Sequence, residues 1–190
     1  MLHFPVRSKP DIDFSEYKAI AEYPGVITKE MANDIIQLVT SSTGWHRRGS
    51  KTPELTQASF TTCLLLDLDH PIYELLDPIW KLAVEEHGFD VSFIEYYEIK
   101  EYLPGDEFGM HIDSYIGIDA PINRTLNMII HLNDPSEYEG GQLTLGRRSA
   151  PKTFGTAIFF PAGYPHAVSE VTSGKRYILI GHAWGPMRIS

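Results

Sequence analysis

The stretch FGTAIFFPAGYPHAVSEVTSGKRYILIGHAW, residues 154–184, decides the fold. It holds three runs rich in Ile, Val, Phe and Tyr (GTAIFFP, HAVSEV and RYILIGHAW), with Gly, Pro and Ser clustered between them. Short β-branched and aromatic runs closed by turn residues are the mark of strands. The pattern extends upstream through GQLTL (141–145), RTLNMIIHLN (124–133) and VSFIEYYEIKEYL (91–103). Many short strands in succession predict a mainly β fold, a sandwich or barrel of the jelly-roll kind, over residues 91–185.

Residues 1–90 have a different character. In ITKEMANDIIQLVTSS (27–42), Thr28 can cap a helix, Glu30 lies in its first turn, and Met31, Ile35, Leu38 and Val39 recur at helical spacing. In DLDHPIYELLDPIWKLAVEEHG (67–88), Pro71 suits the first helical position, and Ile72, Leu75, Leu76, Ile79, Leu82 and Ala83 form an apolar stripe. Gly88 can end that helix, and Pro78 predicts a kink or a split. Both helices are expected to flank one sheet from outside. No repeat or linker divides the chain, so residues 1–190 read as one domain with a helical N-terminal support.

The balance of 16 Lys+Arg against 25 Asp+Glu gives a net charge of −9, which disfavours nucleic acid as a partner. A lone cysteine, Cys63, allows no internal disulfide and no zinc cluster of cysteines. With 43% hydrophobic residues there is apolar mass for a core, but no run long enough for a signal peptide or a membrane span. A cytoplasmic protein is the expectation.

Within GMHIDSY (109–115), strand alternation lets His111 and Asp113 converge on one point, with Ile112 turned the other way into the core. Alone, such a triplet equally describes a solvated turn. His3, His46 and His87 lie in polar or terminal surroundings, and His70 at a helix start. Of the remaining His131, His166 and His182, His166 follows a Gly/Pro turn and opens a strand, as a third ligand would require. Two imidazoles and a carboxylate on one face suit non-haem Fe(II), and zinc with one open position is the competing choice. Arg176, ten residues on, would be a costly inward charge unless an anion such as a dicarboxylate met it; pairing with Glu170 at the surface is the alternative.

In the blocks EYLPGDEFGMHID, RTLNMIIHLND, YEGGQLTL and KTFGTAIFFPAGYPHAVSEVTSGKRYILIGHAW, the chain resembles the 2-oxoglutarate and Fe(II)-dependent oxygenases, in their prolyl 4-hydroxylase-like branch. That resemblance implies a double-stranded β-helix of the jelly-roll or cupin type. It implies His111, Asp113 and His166 as iron ligands, and Arg176 on the far carboxylate of 2-oxoglutarate. Tyr102, nine residues before His111, corresponds to a tyrosine lining the cosubstrate pocket. His131 stands where many relatives carry a tyrosine that helps hold the far carboxylate, and His182 where a tryptophan is common. Asn127 shares strand parity with His131 and so ranks as a pocket residue above Arg124.

Fe(II), 2-oxoglutarate and O2 follow as cofactor and cosubstrates, with ascorbate as an optional addition. The implied reaction is hydroxylation of an unactivated C–H bond, first of a prolyl residue in a peptide or protein, alternatively of a free amino acid or other small molecule. A jelly-roll binding or sensing domain is the non-enzymatic alternative. Residues 43–62 and 114–124 are the two segments expected at the mouth, the first as a lid or a plain surface excursion.

Overall fold

The computed structural model describes residues 20–41, 49–50, 58–59, 63–88, 90–114 and 122–186. In chain order its strands are β1 (Ala21–Tyr23), β2 (Gly49–Ser50), β3 (Ala58–Ser59), β4 (Cys63–Leu65), β5 (Phe93–Ile94), β6 (Glu98–Tyr102), β7 (Glu107–His111) and β8 (Ile122–His131). They continue as β9 (Tyr138–Gly140), β10 (Leu143–Leu145), β11 (Arg148–Ser149), β12 (Ala157–Pro161), β13 (His166–Val168), β14 (Val171–Gly174) and β15 (Arg176–Pro186). Two helices, α1 (Lys29–Ser41) and α2 (Ile72–His87), lie in the N-terminal half.

The major sheet runs β1-β12-β8-β15-β6-β4, with β5 also on β15. A minor sheet runs β11-β10-β13-β7-β3-β2, and β14 pairs with β9. Every strand pairing among the described residues is antiparallel, and sequence neighbours seldom pair, as in a double-stranded β-helix.

Alternation along the major strands sorts side chains into two apolar cores. Leu126, Met128, Ile130, Ala157, Phe159 and Leu179 point outward to the helices. Ile129, Ile158, Phe160, Ile178 and Ile180 point inward against Leu143, Leu145 and Val168 of the minor sheet. Burial on both faces explains why NMIIHL, AIFF and YILI are continuous apolar runs instead of alternating ones. The site must then be built from the polar exceptions on the inner face: Asn127, His131, Arg176 and His182, all buried.

Both helices flank the sheet as expected, with details corrected. Thr28 accepts from Met31 N (3.2 Å), and Gly88 closes α2 in the left-handed conformation (φ 62°). Pro71 sits at the N-cap, one position before the helix, while His70 Nδ1 accepts from Ile72 N at 3.2 Å. Pro78 does not split α2, because the carbonyl it leaves without a partner belongs to exposed Glu74, in reach of water. The buried stripe of α2 is Ile72, Tyr73, Leu76, Trp80 and Ala83, with Leu75 and Leu82 left exposed on its flank. In α1, Ala32 and Ile35 are buried and Leu38 is exposed; the side chain of Val39 lies outside the described residues.

Candidate metal centre and cosubstrate pocket

The chain reaches the centre from two segments, the end of β7 with the residues just past it and the start of β13. His111 ends β7, His166 opens the adjacent β13, and the two are register partners. Asp113 lies two residues beyond β7, where its N–H donates to Ala162 O (2.8 Å) in the turn leaving β12. Ile112 does not enter a core: β7 has already ended, and the side chain stays partly exposed. One ligand atom from each of His111, Asp113 and His166 comes within 4.8 Å of the others.

Hydrogen bonds fix how these groups present themselves. His111 Nδ1 donates to Gly109 O (2.8 Å) and His166 Nδ1 to Tyr164 O (3.0 Å), since a carbonyl can only accept. Each Nε2 therefore carries its lone pair toward Asp113, 3.6 Å from Oδ1 for His111 and 3.2 Å from Oδ2 for His166. Burial, then the neighbouring His166, pushes the His111 pKa down to about 4, so its ring is neutral at physiological pH. Burial opposes charge on Asp113, but the close approach of His166, then the fields of His182 and His111, hold its carboxyl well below the usual range. Behind the carboxylate, Asn127 Nδ2 donates to Asp113 Oδ2 (2.7 Å), and His182 Nδ1 donates to Asn127 Oδ1 (2.8 Å). The chain His182–Asn127–Asp113 leaves the carboxylate one orientation.

Aromatic rings pack the imidazoles in place. Phe108 stacks on His111 (centroids 3.8 Å, 17°), and Phe160 meets His166 edge-on at 4.9 Å. An open cleft is lined by the three ligands, its walls also including Lys100, Tyr102, Ile129, Ile178 and Ile180.

Arg176 starts β15 opposite Tyr102 of β6 and is fully buried. Its guanidinium lies over the Tyr102 ring (5.0 Å), and none of its three side-chain nitrogens has a hydrogen-bond partner among the described residues. Neither ring nitrogen of His131 makes one of normal geometry, though the Pro151 carbonyl lies close to the ring. Burial and then the Arg176 charge push the His131 pKa down to about 3. Neither group is among the residues that wall the cleft, although Tyr102, on which the guanidinium lies, is one of them. A buried cation without a protein acceptor costs several kcal/mol and needs an anion to offset it. Two imidazoles, a carboxylate and this guanidinium fit a divalent metal plus a carboxylate-bearing ligand.

Gly141 makes room for the arginine. Its φ is 58°, and a Cβ there would stand 2.7 Å from Arg176 Cδ and 3.0 Å from Val171 Cγ2. The glycine pair of YEGGQLTL thus does more than turn the chain. Gly141→Ala is expected to destabilise the fold by about 2 kcal/mol or more, from left-handed strain plus the clash. Thermal unfolding of the variant checks it, and an unchanged midpoint would refute the packing role.

Lys100 lines the cleft as well, on the inner face of β6 that it shares with Tyr102 by strand alternation. Tyr138 was not legible in the sequence because its strand is three residues long. Arg124 pairs with Glu95 (Nε–Oε2 2.7 Å) and does not join the ligand group. Of residues 43–62, the described 49–50 and 58–59 form β2 and β3 beside β7, and the others lie outside the described residues, as do 115–121. No helix among the described residues is long and apolar enough to cross a membrane.

Residues 97–184 match the family described as the 2OG-Fe(II) oxygenase superfamily. A PKHD-type hydroxylase of Shewanella sp. (strain MR-7) is 27% identical over 168 residues, covering 83% of this chain and 74% of that one. Another, from Saccharophagus degradans, is 35% identical over 83 residues, 40% of this chain and 37% of the relative. Among solved structures, the viral collagen prolyl hydroxylase of Paramecium Bursaria Chlorella virus-1 superposes with a TM-score of 0.69 at 15% identity, over 88% of this chain and 97% of that one. A Pseudomonas putida prolyl-4-hydroxylase gives 0.68 at 15% identity, over 90% and 94%.

Proposed function

The chain belongs to the 2OG-Fe(II) oxygenase superfamily and has the prolyl hydroxylase fold, and from that premise we propose that it hydroxylates a prolyl residue in a peptide or protein. The observation that carries the site assignment is the meeting of His111 and Asp113, at the end of β7, with His166, at the start of β13, beside a buried Arg176 whose side-chain nitrogens lack a hydrogen-bond partner of normal geometry. His111 and His166 through Nε2, and Asp113 through a carboxylate oxygen, would hold the iron. Iron(II) bound there, with 2-oxoglutarate and O2, supplies the oxidation that places one oxygen atom in a C–H bond and yields succinate and CO2.

The other residues bind, orient and exclude water. Arg176 offers two parallel N–H groups to the far carboxylate of 2-oxoglutarate, and Tyr102 packs on the guanidinium and walls the cleft. Asn127 and His182 fix Asp113 from inside the sheet, while the Gly109 and Tyr164 carbonyls orient the two imidazoles. Phe108, Phe160, Ile129 and Ile180 keep the cleft apolar around the reacting centre. The prolyl substrate rests on what proteins of this fold are named for, and a cytoplasmic setting and ascorbate rest on composition and resemblance alone.

The test begins without oxygen. Protein given Fe(II) and 2-oxoglutarate is expected to develop the visible charge-transfer band of the iron chelate. In air, succinate is expected to rise with prolyl peptides and the peptide to gain one oxygen atom. A band with oxidation only of free amino acids would replace the peptide substrate by a small molecule. Absence of both band and succinate would overturn the site assignment.

A further inference from the structure

We propose that Tyr138 is a positioning residue for the cosubstrate, its hydroxyl completing, with Arg176 and His131, a three-sided cradle for the far carboxylate. The inference rests on the reading of Arg176 given above. Tyr138 opens β9 opposite Gly174 of β14, two residues before Arg176, and is 4% exposed. Its hydroxyl lies close enough to Arg176 for the two to interact directly, but it makes no hydrogen bond of normal geometry with any described residue.

A buried hydroxyl without an acceptor costs about 1–3 kcal/mol, and phenylalanine would fill the same space without that cost. Packing alone therefore does not account for the oxygen. The ring is held from behind: the Lys152 ammonium lies 5.0 Å over its centroid and donates to Gly140 O.

Counting lone pairs defines the ligand. A carboxylate offers about four acceptor positions, of which the guanidinium fork takes two. Tyr138 has one O–H to give beside that fork, while the ring of His131, with the Pro151 carbonyl beside it, walls the third side. Lys152 adds positive charge at a distance without entering the cradle.

The test uses the full chain loaded with zinc, so that binding is read without turnover. Wild type and Tyr138→Phe are titrated calorimetrically with 2-oxoglutarate and with 2-oxopentanoate, which has the same five-carbon chain but no far carboxylate. Tyr138→Phe is expected to bind 2-oxoglutarate about tenfold more weakly, the weight of one hydrogen bond to a charged group, and 2-oxopentanoate unchanged. Its ligand-free unfolding midpoint is expected to stay level or rise. Unchanged 2-oxoglutarate affinity, equal weakening for both acids, or a lower ligand-free midpoint would each overturn the role of Tyr138. Equal binding of the two acids by wild type would instead overturn the carboxylate pocket itself.

Discussion

Asp113→Ala and His166→Ala are each expected to lose iron and to lose substrate-dependent succinate formation, by more than about 100-fold. Altering the outer partners of metal ligands already costs about 10–100-fold, and these residues are direct ligands in the proposed site. Asp113 has the larger structural share, since it also receives the Asn127 amide and stands against both imidazoles. Its removal leaves Asn127 Nδ2 without that acceptor and two imidazole rings 4.1 Å apart. Metal content by elemental analysis, circular dichroism and succinate release separate lost binding from lost folding. Full succinate production by either variant, with iron retained, would remove the residue from the centre.

The sequence made the architecture legible because both faces of the major sheet are covered. Continuous apolar runs such as AIFFP and YILI left only strand or buried helix as choices, and the Gly/Pro turns between them chose strand. Pairing order was not legible, since β8 lies between β12 and β15 through contacts far apart in sequence. Helix edges were read too generously: at 100° per residue, Leu75 and Leu82 fall just outside the stripe that Leu76, Trp80 and Ala83 bury.

At the site, His111 and Asp113 were readable from local alternation even though Ile112 did not obey it. His166 needed a turn that folds back, which GYP encoded. What spacing could not supply was the second layer. The donation from His182 through Asn127 to Asp113 joins strands β15 and β8 to a loop, and only the register that sets His182 beside Asn127 creates it. Tyr138 and Lys152 were hidden for the same reason, as they reach the Arg176 region from short or irregular segments.

Arg176→Met is expected to weaken 2-oxoglutarate binding by about 100-fold or more, the weight of a bidentate charge-assisted contact, while leaving iron binding intact. The ligand-free protein should not suffer. Exchanging a buried charged group for an apolar side chain of similar length is often neutral or stabilising by about 1–4 kcal/mol, and this guanidinium has no acceptor among the described residues to lose. A structural arginine would give the opposite signs, lower stability with unchanged affinity. Arg176→Lys separates charge from geometry, because an ammonium keeps the charge without the planar fork, and intermediate affinity is expected. Half-saturation of the visible iron chelate band by 2-oxoglutarate measures all three proteins. If the methionine variant saturates at the wild-type concentration, the far carboxylate is held elsewhere, and the cradle built on Arg176, His131 and Tyr138 falls with it.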